Sequence, residues 1–298
     1  MTIEIWAATP TPFHQDGSLN VDGVSAQRDH LADFGIDGAF VTGTTGEFFA
    51  LSVDERVAVI DAWAEERTLR ISAHVGDLVL ENAQMLAERA ADKGFDMVAS
   101  VAPFYGNAPS VDRVVGFLDD VASAAPGVDF CYYHIPGFTG LQYSLREILL
   151  EALTRVPTLA AVKFTSPDLL TYSNLREEFP DIKFYFGQDE LMPAALALGA
   201  QGFIGSLYNT VGPTARRIVE LFEAGRVSDA YRMHKILRET ATYVGEFGGL
   251  GFIKEISGLV SAEAGPARAP WGPISQGGRA AARELVERIR RYNNGEFD

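Results

Sequence analysis

Short β-rich runs recur along the chain at fairly regular spacing, and amphipathic stretches separate them. Eight runs have the composition and length of strands. They cover residues 3–8, 39–43, 70–76, 97–103, 129–135, 159–164, 182–186 and 202–205. Between them, apolar residues recur at helical spacing over 54–66, 82–93, 111–124, 145–153, 169–178 and 191–198. Strands and helices are therefore predicted to alternate along the chain.

Two serines mark the beginning of predicted helices. Ser52 is followed three residues later by Glu55, and Ser144 is followed at the same spacing by Glu147. Each pair is the sequence signature of a capping box, in which both side chains accept hydrogen bonds from backbone N–H groups of the first turn. We expect a helix to begin immediately after each serine.

Eight alternations favour a (β/α)₈ TIM barrel, because parallel strands need helical crossovers and eight strands can close the sheet. A doubly wound open sheet is the alternative fold. Further helical patterns follow the eighth strand, over 215–224, 227–244, 252–262 and 279–293. They exceed what one closing helix requires, so we expect a C-terminal helical extension. Residues 1–212 would hold the strands and most helices, and 213–298 the closing helix and extension, as one structural unit.

Composition and charge narrow the class of protein. The 298 residues are 47% hydrophobic and 22% charged, as in ordinary soluble proteins. No apolar stretch is long enough to span a bilayer, no secretory signal is apparent, and the single cysteine, Cys131, excludes an intramolecular disulfide. We therefore expect a cytoplasmic protein without a membrane partner. A net charge of −15 argues against nucleic acid as a partner, although amides and hydroxyls can still hold a small anion.

Lys163 lies within the apolar run 159–164. Burial there favours the neutral amine, the form that attacks a carbonyl, so the sequence indicates a Schiff-base enzyme. The alternative is a lysine that extends to the surface from the end of a strand. Lys183 begins its strand and therefore belongs to the opposite end of the barrel. The remaining lysines fall in or at the end of helical patterns, where a solvated charge is expected: Lys93, Lys235 and Lys254.

Polar residues close several predicted strands, at the barrel end where active sites lie. The second strand ends in Gly43-Thr44-Thr45-Gly46-Glu47, whose hydroxyls and freed amides can hold a carboxylate. A simple βα turn is the alternative. In the sixth strand, alternation puts Lys163 and Thr165 on the same side as Leu159 and Ala161, and the small Ala161 leaves room beneath the amine.

The fifth strand ends in Tyr132-Tyr133-His134-Ile135-Pro136. Only one of the two tyrosines can point into the barrel, and a phenol near an imine can relay a proton. We interpret His134 as a packing residue. The histidines form no metal-ligand pair, and the glycines near 248–251 miss the dinucleotide fingerprint, so no cofactor or metal is expected.

The last two strands also end in polar residues. Gln188, Asp189 and Glu190 follow the seventh strand, and Ser206 follows the eighth. These carboxylates and this hydroxyl can bind the hydroxyls of a polyol. The alternative for Asp189 and Glu190 is capping of the next helix.

Together, the motif 43–47, Tyr133 before Ile135-Pro136, and Lys163 after two apolar residues resemble the pyruvate-dependent aldolases. This family includes dihydrodipicolinate synthase and N-acetylneuraminate lyase. The resemblance runs from about Ala8 to Asn209 with matching order and spacing. It implies a barrel with a C-terminal helical extension, assembled as a homotetramer.

Phe138 bears on the branch of the family. Synthases carry an arginine two residues after the strand-five proline to bind a second carboxylate, and this chain has Phe138 there. Four segments instead resemble the neuraminate-lyase branch: 133–136, 163–166, 187–190 and 205–209. Pro167, where many relatives have glycine, and the bulk of Phe138 leave the exact sugar open.

The resemblance implies roles at the reacting end of the substrate. Lys163 would form an imine with the ketone of a 2-keto-3-deoxy sugar acid, and Thr44 and Thr45 would bind its carboxylate. Tyr133 would take the proton of the C4 hydroxyl. Thr44 would stand in a hydroxyl relay with Tyr133 and with Tyr105 of a neighbouring subunit, and the products would be N-acetylmannosamine and pyruvate.

The resemblance also implies roles at the polyol end. Asp189, Glu190 and Ser206 would hold the hydroxyls, and Thr165 and the Gly187 backbone would lie beside the sugar. Two enzyme alternatives stay open: an aldolase or dehydratase for another 2-keto-3-deoxy sugar acid, and a dihydrodipicolinate synthase-like enzyme. A catalytically silent sugar-acid binding protein is the alternative from another class.

Overall fold

Eight parallel strands close into a barrel in the order of the chain. The computed structural model describes residues 2–65, 68–106, 108–261 and 264–296. The strands are β1 (Glu4–Ala8), β2 (Gly38–Val41), β3 (Arg70–His74), β4 (Met97–Val101), β5 (Asp129–His134), β6 (Leu159–Phe164), β7 (Lys183–Phe186) and β8 (Gly202–Gly205). Because β1 pairs with both β2 and β8, the sheet has no edge. The predicted TIM barrel is confirmed, and the open sheet is excluded.

Helices surround the barrel and extend beyond its last strand. The first eight are α1 (Gly23–Ala32), α2 (Val53–Trp63), α3 (Leu80–Asp92), α4 (Val111–Ser123), α5 (Pro136–Thr139), α6 (Leu145–Arg155), α7 (Leu169–Glu178) and α8 (Met192–Ala197). The C-terminal ones are α9 (Tyr208–Glu223), α10 (Val227–Met233), α11 (Lys235–Phe247), α12 (Leu250–Val260) and α13 (Gln276–Asn293). The expected extension is therefore present, and α12 packs against α9, α11 and α13.

The predicted helices differ from the observed ones in a few places. Helix α1, which is rich in polar residues, was not among them, and the single helix predicted over 227–244 is two helices that meet at His234. Two predicted helix ends, Glu66 and Ala262, lie outside the described residues. The boundary predicted after residue 212 falls inside α9.

Both predicted capping boxes are present. The Ser52 hydroxyl accepts from the Glu55 N–H, and the Glu55 carboxylate accepts from the Ser52 N–H. Ser144 and Glu147 make the same pair of bonds at the start of α6. Each box satisfies N–H groups that the first helical turn leaves without an intrahelical acceptor. Helices α2 and α6, which follow the loop after β2 and the loop after β5, thus begin where the sequence predicted.

Side chains from alternate strand positions fill the barrel interior, while the others pack outward against the helices. Tyr133 belongs to the interior cluster with Phe40 and Ala161, and Tyr132 belongs to the outer core. Only one tyrosine points inward, as predicted. Leu159 was expected to share the side of Ala161, but it lies in the outer core. The pairing of β5 with β6 shifts register at this point, which breaks the simple alternation.

Candidate active site

A cavity of about 310 Å³ opens at the carboxyl-terminal ends of the strands. Residues that follow β2, β5, β6, β7 and β8 line one part of it. Another part is lined by residues of α11, of α12, of the turn between these helices and of the loop before α13: Val244, Gly249, Leu250, Ile253 and Trp271. The C-terminal extension therefore completes the wall of a site that the barrel alone would leave open on one side.

Lys163 lies at the base of this cavity with 4% of its surface exposed. Its Nζ atom is 4.0 Å from the ring centre of Tyr133 and 4.1 Å from that of Phe40. Among the described residues, no carboxylate lies within ion-pair distance of the amine. The two rings fix the direction of the side chain, and their π faces also stabilise a positive charge at this nitrogen. The surface alternative for Lys163 is wrong.

Tyr133 stands beside the amine and contacts the loop after β2. Its phenol oxygen lies 3.3 Å from the Thr44 hydroxyl, and either oxygen can donate this hydrogen bond. The ring packs edge-to-face against Phe40 and His74. Because aromatic contacts hold the ring on two sides, the phenol is fixed at the place where the cavity meets the Thr44-Thr45 loop.

The Thr44-Thr45 loop turns sharply between β2 and α2. Thr42 before it and Glu47 after it both have positive φ angles, of 52° and 56°. Such angles are uncommon for residues other than glycine and occur often at functional sites. Within the described part of the chain, the Thr44 and Thr45 N–H groups have no acceptor. With the two hydroxyls, they form a set of donors that suits a carboxylate.

Thr165, Gly187 and Ser206 line the opposite part of the cavity. The buried Thr165 hydroxyl oxygen has no partner among the described residues. A Cβ atom at Gly187 would lie 2.2 Å from this oxygen, so glycine is required for the close approach of the two strands. The Thr165 hydroxyl is thus left without a partner in the described part of the chain, whereas the Gly187 N–H already donates to the Phe164 carbonyl at 2.8 Å.

Asp189 and Glu190 lie outside the cavity wall of the single chain. Asp189 is buried behind Gly205, and its Oδ2 atom accepts from the Leu207 N–H at 2.9 Å. Burial raises the pKa of Asp189 to about 7, against the opposing effect of that hydrogen bond. In this arrangement Asp189 orders the loop after β8, and its role toward a polyol stays a prediction, as does that of Glu190.

Tyr105 points away from the cavity of its own chain. It follows β4, has a positive φ angle of 66°, and exposes 92% of its surface. A singly exposed aromatic residue is normal on a protein surface, so the role of Tyr105 toward a neighbouring subunit stays a prediction. Phe138, which is 65% exposed, also lines the cavity.

His134 packs as the sequence indicated. Its ring stacks on Phe164, and burial lowers its pKa to about 4, so the imidazole is neutral at physiological pH. The described residues contain no group of three or more His, Cys, Asp or Glu side chains that could hold a metal ion. In the same residues, no helix is long and apolar enough to cross a membrane.

Several residues that contact Lys163 or Tyr133, or that line the cavity, were not predicted from the sequence. Phe40, inside β2, contacts the Lys163 amine, and His74, at the end of β3, contacts the Tyr133 ring; the sequence analysis singled out neither residue. Trp271 and Leu250 reach the cavity from segments that follow the barrel. The glycines at 248–251 could have indicated that Trp271 packs closely on this segment. A Cβ atom at Gly249 would lie 2.7 Å from the Trp271 indole.

Comparison with known proteins agrees with this geometry. The model of the dihydrodipicolinate synthetase family matches residues 1–289. The N-acetylneuraminate lyases of Pongo abelii and Homo sapiens are each 36% identical over 281 residues, which cover 91% of this chain and 87% of theirs. The solved structure of Proteus mirabilis N-acetylneuraminate lyase superimposes with a TM-score of 0.92 at 30% identity, covering 97% of this chain and 98% of that one.

Proposed function

The chain belongs to the dihydrodipicolinate synthetase family, and on that premise we propose that it cleaves N-acetylneuraminate to N-acetylmannosamine and pyruvate. It is a carbon–carbon lyase that acts through a Schiff base. The observation that carries the proposal is the buried Lys163 amine, held between the Phe40 and Tyr133 rings at the base of the cavity. The chemistry needs no cofactor, because the imine itself withdraws electrons.

The reaction begins at the ketone of the substrate. The Lys163 amine adds to C2, and the resulting carbinolamine loses water to give an iminium ion. The substrate carboxylate accepts hydrogen bonds from the Thr44 and Thr45 hydroxyls and N–H groups, which directs C2 toward the amine. The Phe40 and Tyr133 rings face the nitrogen that becomes positive, so they stabilise the iminium.

Cleavage of the C3–C4 bond follows. Tyr133 gives its phenol proton to the hydroxyl that the carbinolamine loses as water, and the phenolate, hydrogen-bonded to the Thr44 hydroxyl, then accepts the C4 hydroxyl proton. The electron pair of the C3–C4 bond moves to the iminium, and N-acetylmannosamine leaves as the aldehyde. The enamine that remains takes this proton from Tyr133 at C3, and water then adds to the iminium and returns a proton to Tyr133 as pyruvate and the free Lys163 amine are released.

We place the polyol tail against Thr165, Gly187 and Ser206, which line the cavity opposite the Thr44-Thr45 loop. Asp189 and Glu190 belong to the loop after β7 and complete this binding region in the proposal. Lys163 is the only cationic side chain on the described cavity wall. A second carboxylate on the substrate would have no cation to pair with, which favours the lyase over a synthase-like reaction.

The proposal includes assembly into a homotetramer in the cytoplasm. The exposed Tyr105 is the residue that a neighbouring subunit would contribute to the Thr44–Tyr133 hydrogen bond, extending it toward solvent. An apolar hollow of about 190 Å³ lies beside Thr44, between Phe48, Phe104 and Phe138, where an aromatic ring from another chain can enter. The buried thiol of Cys131 supports a reducing compartment.

Borohydride reduction in the presence of pyruvate, followed by peptide mass mapping, tests the Schiff base. The adduct is expected on Lys163 and on no other lysine, with Lys163→Met as the unlabelled control. Failure to trap an adduct on the wild-type protein would sink the proposal. Pyruvate release from N-acetylneuraminate is then compared with release from 2-keto-3-deoxygluconate; faster cleavage of the shorter acid would replace the proposed substrate.

A further inference from the structure

Glu47 ends the loop that carries Thr44 and Thr45, but its side chain turns away from the cavity into the protein. It is fully buried, and its N–H donates to the Thr44 carbonyl at 3.0 Å, which closes the loop on itself. Its left-handed backbone conformation is one that glycine adopts at lower cost. We therefore expect the Glu47 side chain to make an interaction that offsets this backbone cost.

That reason is Lys254 of α12. Its Nζ atom lies 2.8 Å from Glu47 Oε1 and donates to the Thr11 carbonyl at 2.9 Å, over the face of the Phe13 ring. The other Glu47 oxygen accepts from the Arg268 N–H at 2.7 Å. The two charged side chains are 0% and 1% exposed. The sequence-based expectation of a solvated Lys254 is thus wrong, because its partner lies 207 residues earlier in the chain.

A buried ion pair is a costly way to gain stability. Removing two charges from water costs several kcal/mol per ion, and an apolar pair of similar volume often serves stability as well or better. What the pair does provide is direction, since charge-assisted hydrogen bonds fix the geometry of both partners. Here Glu47 belongs to the loop of Thr44 and Thr45, and Lys254 belongs to the helix that carries part of the cavity wall. The ion pair therefore points to a role in the reaction.

On one side, the pair is joined to the carboxylate-binding loop. Besides the Glu47 backbone, the Thr11 hydroxyl donates to the Gly46 carbonyl at 2.6 Å, so Lys254 holds the loop through two routes. On the other side, α12 carries Leu250 and Ile253 into the cavity wall. The ion pair therefore fixes the distance between the loop that holds the carboxylate and the wall that faces it.

We propose that Glu47 and Lys254 are positioning residues for the reaction, and that their ion pair holds Thr44 and Thr45 in the geometry that binds the carboxylate of the keto acid. Neither side chain contacts the substrate in this assignment. The inference rests on the proposed Schiff-base function and adds to it the device by which the C-terminal extension sets keto-acid affinity. It predicts that damage to the pair weakens binding of the keto acid without removing the reactive amine.

The experiment titrates pyruvate in borohydride trapping and measures adduct on Lys163 by mass spectrometry. Glu47→Gln and Lys254→Met are each expected to raise the half-saturating pyruvate concentration at least tenfold, with full labelling at saturation. Lys254→Arg, which keeps the charge, should recover part of the affinity. Cleavage kinetics should show the same split, with a larger change in KM than in kcat.

The matched control is Lys183→Met. This lysine also forms an ion pair, with Glu4 at 2.6 Å, but at the opposite end of the barrel. Lys183→Met should change the melting temperature at most and should leave the half-saturating pyruvate concentration unchanged. If Lys254→Met does not fold, Glu47→Gln and Lys254→Arg carry the test. Half-saturation within twofold of wild type in folded Glu47→Gln would overturn the positioning role. No adduct on the wild-type protein would instead overturn the proposed function.

Discussion

The Thr44 hydroxyl lies 3.3 Å from the Tyr133 phenol oxygen, so one hydrogen bond joins the loop that we propose binds the carboxylate to the residue that we propose moves the proton. The two residues come from β5 and from the loop after β2, and neither strand pairs with the other. Barrel closure alone brings them together. In the proposed mechanism, substrate binding at Thr44 acts directly on the group that starts bond cleavage.

Tyr133→Phe separates imine formation from cleavage. The ring and its contacts with Phe40 and His74 remain, while the proton acceptor is lost. We expect kcat for N-acetylneuraminate cleavage to fall about 10²- to 10⁴-fold, the usual contribution of a general acid or base. Pyruvate trapping on Lys163 should persist. Tyr132→Phe, which changes a tyrosine in the outer core, is the control, and an equal loss of turnover there would contradict the assignment.

Lys163→Met should abolish turnover and make the protein more stable. The amine is buried without an ion-pair partner among the described residues, and an apolar side chain of similar length removes that cost. We expect the unfolding free energy to rise by about 1–3 kcal/mol, measured by urea denaturation. The opposite sign would indicate that the contacts of the amine with the Phe40 and Tyr133 rings outweigh the cost of its burial. Lys183→Met, which loses a partly exposed ion pair, should lower stability by less than about 1 kcal/mol.

Gly205→Ala should lower stability and displace the loop after β8. A Cβ atom there would lie 1.6 Å from Asp189 Oδ1, and this carboxylate is already held by the Leu207 N–H. Overpacking of this kind costs about 1–3 kcal/mol and shifts the loop that carries Ser206. Thermal unfolding and KM for N-acetylneuraminate measure the two effects. Gly137→Ala, where an added Cβ meets no atom within 4 Å, should leave both unchanged.

Local patterns were sufficient for the barrel and for its reactive lysine. Each strand is a short β-rich run, and each capping box is complete within four residues, so Lys163 could be placed at the end of β6 from sequence alone. Lys254 could not be interpreted in this way, because a helical pattern does not reveal a partner 207 residues away. The position of Leu159 failed for a different reason, since the register shift between β5 and β6 is decided by strand pairing.

The polar residues after β7 show a similar limit. Their order along the chain predicted that Asp189 and Glu190 lie near the sugar, but burial depends on what packs above them. Gly205, on the next strand, has no side chain to keep the Asp189 carboxylate away, so this group folds back against the β8 loop. The sequence could not separate a carboxylate that faces the cavity from one that supports its wall.

Asp189 should make stability depend on pH in a direction opposite to most carboxylates. Its pKa is about 7 in the folded protein, chiefly because of burial, against an ordinary value of 3.8. Between these values the folded state binds more protons than the unfolded state, so the unfolding free energy falls as pH rises. The contribution is complete below about pH 4 and is lost above about pH 7.

Asp189→Asn isolates this effect, because the amide oxygen can still accept from the Leu207 N–H while no charge forms. At pH 5 the variant should already be more stable than the wild type by about 1–2 kcal/mol, and at pH 8 by about 4 kcal/mol, since each pKa unit corresponds to about 1.4 kcal/mol. His234, whose ring nitrogen lies 3.3 Å from the Asp189 carbonyl, has a pKa near 4 and destabilises the fold in acid, with the opposite sign. Both proteins contain His234, so the difference between their urea-unfolding curves belongs to Asp189.

Asp181→Asn, at an exposed carboxylate, is the control. An equal difference in unfolding free energy between variant and wild type at pH 5 and pH 8 would contradict this prediction. It would mean that the Asp189 carboxylate is already ionised at pH 5 in the folded protein, with its charge compensated behind Gly205.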